Sequence, residues 1–145
     1  MGELKLVKQR LKADCGIACV AMVSGHSYEK VKSDFANTFK VRTYRSSTKQ
    51  LAQLLEKYKM NVSEMKSQAW SDISGVCIVG VNWYKPNMFH WVVTVKDNNR
   101  FLILDPDSAQ VYQGYDWIDE EDGFIHSPSE SNYIVIDDEY KCIEI

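Results

Sequence analysis

The stretch QRLKADCGIACVAMVSG, residues 9–25, decides the fold of the amino-terminal part of the chain. Its apolar run predicts a helix from about Cys15 to Val23. We expect Asp14 to accept the free N–H groups of the first turn, as short polar side chains do at N-cap positions. Ser24 and Gly25 should end the helix, because glycine readily adopts the left-handed conformation of a C-terminal cap.

Two further helices are predicted before the middle of the chain. One follows Ser27 and covers Tyr28 to about Ala36. The next begins at Ser47-Thr48-Lys49-Gln50, a capping box in which the first and fourth residues satisfy each other's backbone N–H groups. Apolar residues then recur at helical spacing on one face: Leu51, Leu54, Leu55 and Tyr58. The first half of the chain is therefore predicted to be helical.

The second half of the chain is rich in short apolar and β-branched runs bounded by glycine or turn residues. These runs predict strands at residues 75–81, 90–95, 100–104, 110–113, 132–136 and 140–145. The second and third strands resemble a hairpin around a turn at residues 97–99. Helices followed by strands indicate a single α+β domain over residues 1–145, with N-terminal helices packed on a C-terminal antiparallel sheet.

Composition and charge exclude several classes of protein. A chain of 145 residues with 45% hydrophobic and 26% charged residues is typical of a folded domain, not of a disordered chain or a small disulfide scaffold. The net charge of -3 provides no positive field to attract nucleic acid. The longest apolar run is about half of the roughly 20 residues that span a bilayer, so no membrane segment is predicted. The four cysteines lack a paired spacing, which favours free thiols in a reducing compartment such as the cytoplasm.

Cys15 is the candidate nucleophile. It falls in the first turn of the predicted first helix, where free N–H groups and the helix dipole favour a thiolate. A thiolate also needs a general base, and His90 begins one strand just as Asp105 ends the next. Hairpin pairing of those strands would make the two residues neighbours, so that Asp105 orients the imidazole. Gln9, which precedes Cys15, is placed to donate its side-chain amide to an oxyanion together with the Cys15 N–H.

Each of these residues also has a purely structural interpretation. Cysteines in apolar segments are usually core residues, and we assign Cys19, Cys77 and Cys142 to the core. His90 could be a packed strand residue, and Asp105-Pro106-Asp107 could form a simple turn. The order and spacing of all four candidate residues together favour an active site.

The segment from Gln9 to Met22 resembles the amino-terminal motif of the bacteriocin-processing cysteine peptidases that act on double-glycine leaders. Residues 90–95, His-Trp-Val-Val-Thr-Val, and residues 104–106, Leu-Asp-Pro, are similar to the histidine and aspartate motifs of that family. The resemblance implies a papain-like cysteine peptidase fold and four catalytic residues: Cys15 as nucleophile, His90 as general base, Asp105 as its orienting partner and Gln9 as oxyanion donor. We expect neither a cofactor nor a metal.

The chain departs from this family in lacking a membrane span and a nucleotide-binding phosphate loop. In the family these usually follow the peptidase domain within an ABC exporter. We therefore expect a stand-alone peptidase acting on a peptide or protein, either as a leader peptidase or as the toxin or effector domain of a larger secreted bacterial protein. The toxin hypothesis implies delivery into a target-cell cytoplasm and an immunity or inhibitor protein as partner.

Aromatic residues flank His90 in the sequence. Trp83 and Phe89 are the candidate substrate-binding residues, as walls of a cleft, whereas Trp91 is assigned to packing. A cluster of acidic residues further along is assigned to a solvated loop: Asp116, Asp119, Glu120, Glu121 and Asp122.

Three alternatives to a peptidase stay open. The same thioester chemistry serves deamidation or transglutamination of a glutamine side chain. A degenerate peptidase fold could bind a leader peptide without cutting it, although such copies usually lose the cysteine. A zinc site would use Cys15 and Cys19, one helical turn apart, with His26, but no Cys-x2-Cys pair supports it.

Overall fold

The computed structural model describes residues 3–66, 73–82, 89–97, 100–113, 133–138, 140 and 142–144. Its helices are α1 (Cys15–Ser24), α2 (Tyr28–Phe39) and α3 (Thr48–Lys57). Its strands are β1 (Glu3–Lys5), β2 (Val62–Met65), β3 (Gly75–Asn82), β4 (Phe89–Lys96), β5 (Phe101–Asp105), β6 (Gln110–Gln113), β7 (Tyr133–Ile136) and β8 (Cys142–Glu144).

Six of the strands form one sheet in the order β2-β7-β3-β4-β5-β6. Every neighbouring pair in this sheet is antiparallel, whereas β1 and β8 form a separate parallel pair. The predicted α+β class with an antiparallel sheet is confirmed. The sequence patterns gave no indication of β1 or β2.

Alternate residues of the sheet face two separate apolar clusters. On one side, Val93 of β4 and Leu104 of β5 pack with residues of all three helices. On the other side, Val92 and Ile103 pack with each other and with β3 and β7. This alternation is the period of two that a strand imposes on its side chains. The helices therefore cover one face of the sheet, as predicted.

The structure tests two of the three cysteines that were assigned to the core. Cys19 lies in the cluster beneath the helices, and Cys77 lies in the cluster on the opposite face of the sheet. Both assignments are confirmed. The side chain of Cys142 lies outside the described residues.

The amino-terminal end of α1 is not capped as predicted. The Asp14 carboxylate makes no hydrogen bond with the first turn of α1, all of which the structure describes. It accepts instead the backbone N–H groups of Arg10 (3.1 Å) and Leu11 (3.0 Å) and the hydroxyl of Tyr28. The prediction was wrong because these partners occupy both carboxylate oxygens and hold the side chain against the preceding loop.

The other helix boundaries follow the sequence patterns except for the end of α2. α1 ends at Ser24, and Gly25 takes the left-handed conformation with a φ of 78°. The Ser27 side chain caps α2. This helix runs on past its predicted end because Phe39 packs against Phe35, with ring centroids 4.9 Å apart. Both hydrogen bonds of the predicted capping box of α3 are present.

Gly16 in the first turn of α1 has no room for a side chain. A Cβ atom there would lie 2.2 Å from Ser46 Oγ and 3.2 Å and 3.3 Å from the two methyl groups of Leu51. Gly16→Ala is expected to destabilise the fold, because overpacking costs about 1–3 kcal/mol and exceeds the gain of at most about 1 kcal/mol in helix propensity. Chemical denaturation measures the change. Adding Ser46→Ala should restore part of the lost stability, and an unchanged free energy of unfolding in Gly16→Ala would contradict the prediction.

Candidate active site

Cys15 is the first residue of α1, which packs against β4. The backbone N–H of Trp91 donates to Cys15 Sγ at 3.4 Å. The indole N–H of the same tryptophan donates to the Ser46 carbonyl at 3.1 Å, and Trp91 is buried in the core, which confirms its packing role. The sulfur therefore lies at the amino-terminal end of a helix, where the helix dipole favours negative charge.

The β4–β5 hairpin brings His90 to Asp105. Its ladder ends at Val93 opposite Leu104, so that His90 and Asp105 follow at the same end of the hairpin. The distance between His90 Nε2 and Asp105 Oδ1 is 2.6 Å, and both side chains are buried. The two candidate residues thus form a hydrogen-bonded pair shielded from water.

The side chain of Cys15 also influences His90. Burial lowers the pKa of His90, but the hydrogen bond with Asp105 and the interactions with Cys15 and Asp105 outweigh burial and raise the pKa from 6.5 to about 10. The imidazole is therefore protonated at neutral pH. His90 thus interacts with the carboxylate of Asp105 and with the thiol of Cys15.

Asp105 is held as a carboxylate by its surroundings. Burial raises its pKa, but the hydrogen bond and charge of His90 lower it, as do the backbone N–H of Asp107 (2.9 Å) and the hydroxyl of Ser108 (3.0 Å), and the net pKa is below the usual value. The turn after β5 supplies these two donors. From the sequence, Asp105 could either belong to a simple turn or orient His90. In the structure it does both, since it accepts from the turn residues and contacts His90.

Gln9 is tied to the same turn. Its backbone N–H donates to the Pro106 carbonyl at 2.9 Å. Its side-chain Nε2 donates to the Leu11 carbonyl at 2.8 Å and lies 3.5 Å from the Lys12 carbonyl, at the limit of a hydrogen bond. Gln9 Oε1 is buried and has no hydrogen-bond partner among the described residues.

The candidate substrate-binding residues are only partly described. Trp83 lies outside the described residues, and Phe89 is described as the backbone start of β4, opposite Asn82, without its side chain. The acidic cluster of residues 116–122 also lies outside the described residues. The sequence analysis missed the supporting contacts of Tyr28 and Ser46. Tyr28 donates to Asp14, and the Ser46 carbonyl accepts from Trp91. These contacts join distant parts of the chain and have no local sequence signal.

The described residues contain no group of three or more histidine, cysteine, aspartate or glutamate side chains arranged to hold a metal ion. His26, a residue of the zinc alternative, packs its ring against Tyr58 with centroids 4.4 Å apart. Within the described part of the chain, no helix has the length and apolar character needed to cross a membrane.

Comparison with known proteins shows which family the chain belongs to. The model of the peptidase C39 family matches residues 3–121, which is more than half of the chain. The chain belongs to the peptidase C39 family. It is accordingly a papain-like cysteine peptidase, a hydrolase. A search of curated proteins finds no match.

Two solved structures of this family share the fold of the chain. One is the peptidase domain of Streptococcus ComA, described as a bi-functional ABC transporter involved in a quorum sensing pathway, with 21% identity, a TM-score of 0.64, and coverage of 92% of this chain and 97% of that chain. The other is a double glycine motif protease from an AMS/PCAT transporter in complex with the leader peptide. It has 18% identity and a TM-score of 0.64, and the match covers 90% of this chain and 89% of that chain. The predicted papain-like peptidase fold is confirmed.

Asp105→Asn is expected to lower kcat, by less than the loss of at least about 10⁴-fold expected on removal of Cys15 or His90. Asparagine retains an oxygen that accepts the hydrogen bond from His90 Nε2, and papain-like enzymes with a Cys-His-Asn arrangement work with this residue. The negative charge that supports the imidazolium is lost. Steady-state kinetics checks this, with Asp105→Ala as the comparison that also loses the hydrogen bond. Equal losses in the two variants would contradict an orienting role.

The free energy of unfolding is expected to fall as the pH rises from 6.5 through about 10. The pKa of His90 is raised in the folded protein, so the folded state binds this proton more tightly than the unfolded chain does. The free energy that protonated His90 contributes to folding is fully present below pH 6.5 and is lost as the pH rises through about 10. Chemical denaturation at several pH values measures the slope. His90→Gln should have a flatter profile, and parallel profiles would contradict the assignment.

Proposed function

We propose that residues 1–145 form a single catalytic domain that hydrolyses a peptide bond by way of a thioester on Cys15. The observation that carries this proposal is the buried His90–Asp105 hydrogen bond of 2.6 Å, together with the Cys15 sulfur at the amino-terminal end of α1, bound by the backbone N–H of Trp91 next to His90. Membership of the peptidase C39 family supports it.

In the proposed reaction the Cys15 thiolate attacks the carbonyl carbon of the substrate, and a C–S bond forms as the carbonyl oxygen becomes negative. The C–N bond then breaks, and His90 gives its proton to the leaving amine. A water molecule next loses a proton to the neutral His90 and attacks the thioester. The C–S bond breaks, the acid product leaves, and the thiolate and imidazolium are restored.

Two N–H groups are suited to stabilise the oxyanion. As the first residue of α1, Cys15 has a backbone N–H with no partner within the helix. Gln9 Nε2 has two hydrogens, of which one donates to Leu11 at 2.8 Å and the other faces the Lys12 carbonyl at 3.5 Å and is held weakly. We therefore propose that this second hydrogen of Gln9 and the Cys15 N–H bind the developing negative charge.

The proposed substrate is a peptide segment that ends in small residues, as in a double-glycine leader. A solved relative was crystallised in complex with a leader peptide, which supports this class of substrate. Phe89 and Trp83 are proposed as walls of the substrate cleft. A toxin or effector domain acting in a reducing cytoplasm, paired with an immunity or inhibitor protein, is the second form of the proposal.

The test is incubation of the protein with peptides that carry a double-glycine leader, followed by mass spectrometry. Hydrolysis gives two fragments whose masses sum to that of the substrate plus one water. Deamidation instead leaves one peptide in which a glutamine has become glutamate, and transglutamination joins a glutamine to an amine with loss of ammonia. Binding without any change of mass would support the non-catalytic module and overturn the proposal.

A further inference from the structure

Tyr28 and Asp14 join the start of α2 to the loop that precedes Cys15. The Tyr28 hydroxyl donates to Asp14 Oδ2, and both residues are buried. The same carboxylate accepts the backbone N–H groups of Arg10 at 3.1 Å and Leu11 at 3.0 Å. The Asp14–Tyr28 pair thus fixes the backbone of the loop against a second helix.

This loop also carries the acceptor that holds the Gln9 side chain. Gln9 Nε2 donates to the carbonyl of Leu11, and the N–H of that same Leu11 is bound by Asp14. The position of the Gln9 amide therefore depends on the position of Leu11. Gln9 is otherwise tied through its backbone to Pro106, next to Asp105.

We propose that Tyr28 and Asp14 are positioning residues that set the Gln9 amide as oxyanion donor. This inference rests on the proposed function. The Asp14–Tyr28 pair does not touch the reacting atoms and acts through Leu11. An oxyanion donor must lie within a narrow range of distances from the developing charge, so a small shift of this loop reduces its effect.

The chemistry of the pair suits a fixed anchor. Burial, the hydrogen bond to Asp14 and the charge of Asp14 raise the pKa of Tyr28, so its hydroxyl remains a donor. The Arg10 guanidinium stacks over the Tyr28 ring at 4.4 Å and pairs with Glu29 at 2.6 Å. Because Arg10 and Glu29 are exposed, their ion pair adds little, and the buried carboxylate is the main anchor.

The test compares Tyr28→Phe with Tyr58→Phe. Tyr58 is a matched control because its hydroxyl also donates to an aspartate, Asp34 at 2.7 Å, outside the loop that precedes Cys15. For each variant we would measure kcat and KM on a cleaved peptide, inhibition by a peptide aldehyde and alkylation of Cys15 by iodoacetamide. The aldehyde forms a hemithioacetal whose oxygen needs the oxyanion donors, whereas alkylation by iodoacetamide does not form an oxyanion.

Tyr28→Phe should lower kcat roughly tenfold and weaken aldehyde inhibition to a similar extent, since loss of a whole oxyanion donor costs about 10²–10³. KM and the alkylation rate should stay unchanged, and Tyr58→Phe should leave all four quantities unchanged. An unchanged kcat in Tyr28→Phe would overturn the inference. So would an equal fall in kcat and alkylation, because a general loosening of the fold moves the nucleophile as well.

Hydrogen exchange of the Arg10 and Leu11 amides separates this inference from the proposed function. Both N–H groups should exchange faster in Tyr28→Phe than in the wild type, whether or not the protein cuts any peptide. Unchanged exchange would overturn the anchoring step itself. If exchange is faster but the protein neither cuts a peptide nor binds the aldehyde, the anchoring of the loop is supported and the proposed function is refuted. Gln9 would then have no oxyanion to bind.

Discussion

Cys15→Ala is expected to abolish peptide hydrolysis, with a fall in kcat of at least about 10⁴-fold, the size seen when a nucleophile is removed from a catalytic triad. Among the cysteines whose side chains the structure describes, neither of the others is suited to replace it: the thiol of Cys19 lies one turn deeper in α1 and is fully buried, and Cys77 lies on the opposite face of the sheet. Steady-state kinetics measures the loss. Circular dichroism should show an unchanged fold, because alanine is a good helix former and the substitution removes one sulfur.

Cys19→Ala is the matched control on the same helix. It removes a sulfur from the core and should cost roughly 1–3 kcal/mol of stability while kcat changes little. Burial, followed by the charges of Cys15 and Asp105, raises the pKa of the Cys19 thiol well above its usual value, so this thiol does not act as a nucleophile. Hydrolysis that persists in Cys15→Ala, or that disappears equally in Cys19→Ala, would refute the role of Cys15.

Local signals in the sequence were sufficient for most of the elements that build the site. The capping box at Ser47 and the apolar spacing after it set α3, and the β-branched run from His90 to Val95 set β4. The hairpin then followed from the short turn before β5, and it brings the start of β4 and the end of β5 to one end of the ladder, where His90 contacts Asp105. These features depend on residues close in sequence, which is why they could be predicted.

Contacts between distant parts of the chain could not be predicted. β1 is three residues long and pairs with β8 at the other end of the chain, and β2 is largely exposed, so neither shows a clear alternation. Asp14 precedes a helix and is of a residue type that often caps helices, but its oxygens accept from Tyr28 and from the backbone N–H groups of the loop instead. The pairing of His90 with Asp105 could be predicted from the sequence, whereas the contacts that support Asp105 and Asp14 could not.

His90→Ala is expected to lower kcat by at least about 10⁴-fold and also to slow alkylation of Cys15. Below pH 10 the wild-type imidazole carries a proton, because Asp105 and Cys15 outweigh burial and raise the pKa of His90 to about 10. That positive charge stabilises a thiolate, which is the form that reacts with iodoacetamide. Peptide mass spectrometry after timed alkylation measures the rate at each cysteine, with wild type and variant compared at the same pH.

Removing His90 leaves the Asp105 carboxylate buried without its main partner, at a cost of about 3–5 kcal/mol. His90→Gln is therefore the second variant, since its amide can still donate to Asp105 while it carries no charge. Cys77 is an internal control, because burial raises its pKa to about 12 and it should react slowly in every variant. Equal alkylation of Cys15 in wild type and both variants would mean that His90 and Asp105 form a structural ion pair. The thiol would then lack a general base, and hydrolysis would need another explanation.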